Sequence, residues 1–153
     1  SDRICEMGRY GQKTLGGYYD YKEGGRDAIR NAEVENLISQ VSLEKGIRRR
    51  QISDEEILKR CMYPLVNIGA QILAEGIAIR SSDIDIIYIN GYGFPAYRGG
   101  PMFWADQIGL STVYNEIKEY QMNLGERWRP SPLLEKLAKE GKRFADYDRE
   151  KDQ

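Results

Sequence analysis

The chain has 153 residues, enough for one well-buried core, and its 41% hydrophobic content is too high for a disordered chain and too low for a membrane protein. Its 23 basic and 24 acidic residues leave a formal charge of -1, a balance with no footprint for nucleic acid or an anionic membrane. Histidine is absent, which excludes a His-based triad, a histidine general base and the common His-containing zinc sites.

No run approaches the roughly 18 apolar residues of a membrane span, and no signal-peptide-like apolar region opens the sequence. Cys5 and Cys61 have neither the density nor the spacing of a disulfide framework or a zinc site. They suit reduced thiols of a cytosolic or organelle-matrix protein, with Cys61 read as a core residue.

Residues 1–30 read as an irregular arm rich in glycine and tyrosine, from Gly8-Arg9-Tyr10-Gly11 through Gly16-Gly17-Tyr18-Tyr19-Asp20-Tyr21. A phosphate-binding loop does not fit, because no strand precedes it and the glycines follow Lys13-Thr14. Tyrosines anchoring an arm on a neighbouring domain suit it better, since each ring offers contact area and one polar handle.

From about Glu33 the pattern turns helical, with Val34, Leu37, Ile38 and Val41 at steps of three and four, and Gly46 closes the helix. Arg48-Arg49-Arg50 reads as solvated cations at a helix end, with phosphate contact as the alternative. Ser53-Asp54-Glu55-Glu56 is a capping box that opens a long helix from Asp54 to about Glu75. Its apolar stripe includes Ile57, Leu58, Cys61, Leu65, Val66, Gly69, Ile72, Leu73 and Gly76. Pro64 removes a donor from the interior, so a kink is expected there, and Gly69 and Gly76 would admit a crossing helix.

Ser81-Ser82-Asp83 precedes the run Ile84 to Ile89. The β-branched residues favour a strand, whereas the polar start and Asn90-Gly91 favour a short helix, which the helical neighbours select. Pro101 fits the first turn of another short helix ending near Asp106-Gln107. Ser111 is read as the cap of the next, with Val113, Ile117, Tyr120 and Leu124 inward. Ser131-Pro132 opens the last helix, carrying Leu133, Leu134, Leu137 and Ala138 to a stop at Gly141. Residues 145–153 read as a charged, frayed tail. The fold class is therefore all-α: an arm over 1–30, a compact helical domain over 31–144 and the tail.

Between the helices lies the most specific segment, Gly91-Tyr92-Gly93-Phe94-Pro95-Ala96-Tyr97-Arg98-Gly99-Gly100-Pro101, followed by Phe103, Trp104 and Asp106. Glycines permit positive φ and close approach while each proline fixes its own φ, so this is a shaped connection. Its aromatics, Tyr92, Phe94, Tyr97, Phe103 and Trp104, serve either core packing within the domain or contact with a neighbouring one. Arg98 is read as paired with Asp106 or solvated, with a phosphate or carboxylate ligand as the alternative. No catalytic, cofactor-binding or metal-ligating residue is assigned to the chain, and catalysis by Glu75 or Asp106 has only single carboxylates to stand on.

Three blocks carry a resemblance. They are Gly8-Arg9-Tyr10-Gly11-Gln12-Lys13-Thr14 with Gly17 to Tyr21, Pro64-Leu65-Val66-Asn67 with Leu73 to Ala78, and Gly91 to Pro95 with Gly99-Gly100-Pro101 and Ala105-Asp106. In order and spacing, over roughly residues 5 to 125, the chain resembles the C-terminal region of 3-hydroxyacyl-CoA dehydrogenases. It looks most like the second helical copy in the peroxisomal-type bifunctional members that join this activity to enoyl-CoA hydratase. The resemblance implies a helical fold of the 6-phosphogluconate dehydrogenase C-terminal-like type, with NAD bound by a Rossmann domain elsewhere in the parent.

It also implies that the catalytic histidine and its glutamate lie in that other domain, and that acyl-CoA binds mainly outside this segment. Lys59 stands where the first helical copy carries an active-site asparagine, so this copy should be non-catalytic. Asn67 is polar beside the packed stripe, but Ile68 replaces the glutamate that often follows. The implied partners are the NAD-binding domain and the first helical copy, and a homodimer is compatible with the resemblance. An acyl-CoA- or protein-binding module is the alternative function. A peroxisome is implied by family alone, since Asp148 to Gln153 carries no targeting tripeptide, and mitochondrial or cytoplasmic locations stay open.

Overall fold

A computed structural model describes residues 1–151; the last two residues of the expected tail lie outside it. Among the described residues there are eight α-helices and no strand, only isolated backbone bridges at Gly11–Gly16, Gly16–Asp20 and Asp20–Ile29. The chain is all-α, and it divides into two compact units after Gln51.

The first unit holds α1 (Asp2–Glu6) and α2 (Ala32–Glu44). The arm between them is organised around one carboxylate. Arg9 donates to Asp20 at 2.6 Å and to the Gly17 carbonyl at 2.8 Å, while the second oxygen of Asp20 accepts from Asn31 at 2.7 Å. Asn31 in turn caps α2, accepting from the Val34 N–H at 3.0 Å. Hydrogen bonds from Asn31 first and Arg9 second hold the Asp20 carboxyl below its usual range. The helix expected to open the helical domain thus falls in the first unit.

The second unit holds α3 (Asp54–Ala74), α4 (Ser81–Gly91), α5 (Pro101–Ile108), α6 (Leu110–Leu124), α7 (Pro132–Glu140) and α8 (Phe144–Lys151). Ser53 caps α3, accepting from the Glu56 N–H at 3.2 Å. The helix then runs as one 21-residue element through Pro64. Its inner face is Tyr63, Val66, Gly69, Ala70 and Leu73. At Gly69 a Cβ would stand 2.5 Å from the Met102 sulfur, so α5 crosses α3 where no side chain fits.

Four readings of the sequence are corrected here. Gly76 has a φ of +72° and nothing near its absent Cβ, so it ends α3 and admits no crossing helix. Cys61 is exposed, on the side of α3 turned from the core, as are Ile57, Leu58 and Ile68. Gly109, not Ser111, is the N-cap of α6; the Ser111 hydroxyl donates to the Ala138 carbonyl at 2.8 Å. The segment read as a frayed tail is α8 through Lys151, and Phe144 at its start is wholly buried.

The core of this unit joins Leu73, Met102, Val113, Ile117, Leu134, Leu137 and Phe144 from the five helices α3, α5, α6, α7 and α8. Each such side chain contributes roughly 1.5–3 kcal/mol by leaving water. Asn67 stitches α3 to the start of α7, its carbonyl oxygen accepting from Ser131 N–H at 2.7 Å and its amide donating to the Arg129 carbonyl at 2.9 Å.

Candidate functional site

The glycine- and proline-rich segment between α4 and α5 is held at both ends. At its start, the Phe94 N–H donates to the Tyr88 carbonyl at 3.0 Å and the Tyr88 and Tyr92 rings lie 5.3 Å apart. Gly91 is the last residue of α4. Gly93 turns the chain at a φ of +71°, Pro95 precedes a short 3-10 turn over Ala96–Arg98, and Gly99 ends that turn.

At its far end stands Asp85, a buried carboxylate on α4 with 7% of its surface exposed. It accepts from the Met102 N–H at 2.7 Å and the Phe103 N–H at 3.0 Å, the donors that open α5. Gly100 is the residue that allows this approach. Its φ is +95°, and a Cβ there would fall on the Asp85 carboxylate. Pro101 then supplies the first helical residue, where no N–H is needed. Burial pushes the Asp85 carboxyl up to about 6, against the two backbone donors, with the charges of Asp106 and Asp148 adding to the rise.

Asp106 does not pair with Arg98. From α5 it accepts from the Phe144 N–H at 2.8 Å and the Ala145 N–H at 3.1 Å, capping α8. Burial raises its carboxyl too, opposed by those two donors. Arg98 instead lies over the neighbouring Tyr97 ring, 5.4 Å from its centroid, and donates to the Tyr97 hydroxyl at 3.3 Å. Asp148 of α8 accepts from the Ser81 N–H at 2.9 Å and the Ser81 hydroxyl at 2.5 Å, at the first residue of α4.

The aromatics divide into core-packed and exposed rings. Trp104 is half-buried and packs on Tyr63, with ring centroids 6.1 Å apart, so it belongs to the core. Phe94 is half-buried. Tyr92, Tyr97 and Phe103 are 76%, 84% and 52% exposed, and Ile86 and Ile87 on α4 are exposed with them.

Other polar candidates are occupied structurally. Lys59 bridges Glu55 at 2.7 Å and Glu116 at 2.9 Å, and its ammonium is raised by hydrogen bonds to Glu55 first and Glu116 second. Both amide atoms of Asn67 are spent on the backbone at Arg129 and Ser131, beside a cleft of about 290 Å³ that it lines with Pro64, Ile68, Arg127 and Trp128. Glu75 accepts from Gln71 at 2.8 Å. No group of three His, Cys, Asp or Glu side chains among the described residues could hold a metal ion. Among the described residues no strand leads into a glycine-rich helix start, the arrangement of the Rossmann dinucleotide motif.

The roles of Asp85, Asp106 and Asp148 as helix caps escape the sequence reading. An acid inside the apolar run Ile84 to Ile89 was a usable signal, as was the spacing of Phe144 and Tyr147 for α8.

Comparison with known proteins places this arrangement. The family model described as 3-hydroxyacyl-CoA dehydrogenase, C-terminal domain, matches residues 57–146. The chain is 43% identical over 143 residues to the peroxisomal bifunctional enzyme of Danio rerio, covering 92% of this chain and 20% of that protein. It is 41% identical to the corresponding protein of Homo sapiens, with the same coverage. A glyoxysomal fatty acid beta-oxidation multifunctional protein of Brassica napus is 36% identical, over 87% of this chain and 19% of that one. The chain thus spans about a fifth of the length of these relatives. A crystal structure of the dehydrogenase part of multifunctional enzyme 1 from C. elegans shares the fold, with a TM-score of 0.62 and 24% identity, over 88% of this chain and 31% of that one.

Proposed function

This chain belongs to the 3-hydroxyacyl-CoA dehydrogenase C-terminal domain family, and we propose that it serves as the second, non-catalytic helical copy in a longer, bifunctional enzyme of peroxisomal fatty-acid β-oxidation. The parent would oxidise a 3-hydroxyacyl-CoA to the 3-oxoacyl-CoA. NAD accepts the hydride when bound, in a domain outside this chain. The proton-abstracting histidine must lie outside as well, because this sequence has none.

This chain's own residues would supply geometry. The observation that carries the reading is the loop over residues 91–100, fastened by Asp85 at Met102 and Phe103 yet presenting Tyr92 and Tyr97 to solvent. A rigid turn with exposed rings suits docking on the first helical copy and the NAD-binding domain, since little conformational entropy is left to lose. Positioning matters to the reaction because misplacing reacting groups by about 1 Å can cost on the order of a hundredfold in rate. Acyl-CoA would be held mainly by those other domains, and pairing of two parent chains is compatible with the same surface. The glyoxysomal and peroxisomal relatives support a peroxisomal setting.

The test is direct. The purified 153-residue chain should not turn over a 3-hydroxyacyl-CoA and should bind NADH weakly. The parent bearing Tyr92→Ser, Tyr97→Ser and Phe103→Ser together should keep its hydratase activity and lose dehydrogenase activity. Turnover by the isolated chain, or full dehydrogenase activity in the triple variant, would overturn the proposal.

A further inference from the structure

The three aspartate caps close a circle. Asp85 on α4 holds the start of α5, Asp106 on α5 holds the start of α8, and Asp148 on α8 holds the start of α4. Each helix in the circuit therefore gives one carboxylate and receives another. We infer that these caps act as one conformational clasp, through which the C-terminal helix α8 governs how firmly α4 and α5 grip the loop over residues 91–100.

A lone cap steadies the helix it caps and little else. In a closed circuit the helix that loses its cap also carries the next cap, so a fault is passed on. If Asp148 lets go of Ser81, the first turn of α4 keeps only its Asp83–Arg80 capping contact, and Asp85 stands at the start of the next turn. Asp85 then loses its line to Met102 and Phe103, the two amides that fix the far end of the loop. From α5 the fault reaches α8, because Asp106 is on α5.

The packing gives the circuit stiff arms. Met102 and Phe144 are wholly buried and Ile84 nearly so, so each helix start sits on the core as well as on its cap. The carboxylates also feel one another, since the charges of Asp106 and Asp148 both act on Asp85. What links the three helices is a chain of hydrogen bonds from cap to helix start, and the inferred coupling is that release of one cap loosens the next.

The inference rests on the proposed function only for its consequence, which is control of the docking loop. Its test needs neither partner nor substrate. Amide hydrogen exchange would be followed residue by residue in the 153-residue chain, in Asp148→Ala, in Asp148→Asn and in Asn67→Ala. The last breaks a stitch between α3 and α7 that lies outside the circuit. The expected result is that Asp148→Ala speeds exchange at Met102 and Phe103 by about tenfold, although neither amide bonds to Asp148. Asp148→Asn keeps one acceptor and should speed it less, and Asn67→Ala should leave those two amides protected. Acceleration confined to Ser81 and its neighbours would refute the clasp. So would equal acceleration at Met102 and Phe103 in Asn67→Ala, which would show general loosening. Should Asp148→Ala not fold, Asp148→Asn carries the same comparison with the same two outcomes.

Discussion

Removing the Asp85 carboxylate sets two large terms against each other. Asp85→Ala strands the Met102 and Phe103 donors, the first wholly buried, and hydrogen bonds to a charged acceptor are worth about 1.5–3 kcal/mol each. Against that loss, the variant no longer buries a charge. The carboxyl stands at about 6 in the fold against 3.8 when free, which at neutral pH is a burden of roughly 3 kcal/mol. The net cost at pH 7 should be about 0–3 kcal/mol. Asp85→Asn keeps one acceptor and sheds the charge, so it should cost about 1 kcal/mol or less.

The sign of the pH dependence separates this account from simple capping. Because the folded value is raised, the stability tied to protonation is fully present below about 3.8 and is lost as pH rises through about 6. Relative to Asp85→Asn, the unsubstituted chain should gain about 1.3 kcal/mol on going from pH 7 to pH 5. Urea unfolding of the three proteins at both pH values measures this. A gap between the unsubstituted chain and Asp85→Asn that stays constant, or widens in the opposite sense, would refute the argument that burial dominates at Asp85.

Three further outcomes are expected. Phe144→Ala should cost about 3–5 kcal/mol by thermal or urea unfolding, because a wholly buried ring at the start of α8 leaves a cavity. Asn67→Ala should cost about 1–3 kcal/mol, since the Ser131 N–H and the Arg129 carbonyl both lose their partner. Tyr97→Ser with Phe103→Ser should change the stability of the isolated chain by no more than about 0.5 kcal/mol per site, the rings being 84% and 52% exposed. The same pair should weaken association with the remainder of the parent enzyme, read by calorimetry.

Most helices could be read from periodicity and end signals that act within a few residues. Ser53 as the N-cap of α3, Pro101 in the first turn of α5, and Gly141 after α7 are local devices, and all three stand where the sequence puts them. Local reading failed where a residue's partner is distant in the chain. Asp106 looked like a mate for Arg98, eight positions away, but caps α8, 38 residues on. Cys61 looked like part of the α3 stripe, because spacing shows that a helix has an apolar side and not how wide a side its neighbours cover. The charged composition of α8 hid the helix, whose one wholly buried side chain, Phe144, is joined by Tyr147 packed against the core.

The sequence by itself determined the helical class, the long central helix, the glycine-framed loop and the lack of a histidine base, because propensity, capping and composition are properties of neighbours in the chain. The tertiary structure alone decided which carboxylates are buried as caps, which aromatics face water and that the last helix belongs to the fold. Burial and hydrogen-bond partnership are set by where distant segments meet. A carboxylate such as Asp85 acquires its raised affinity for protons only when other helices have displaced the water around it.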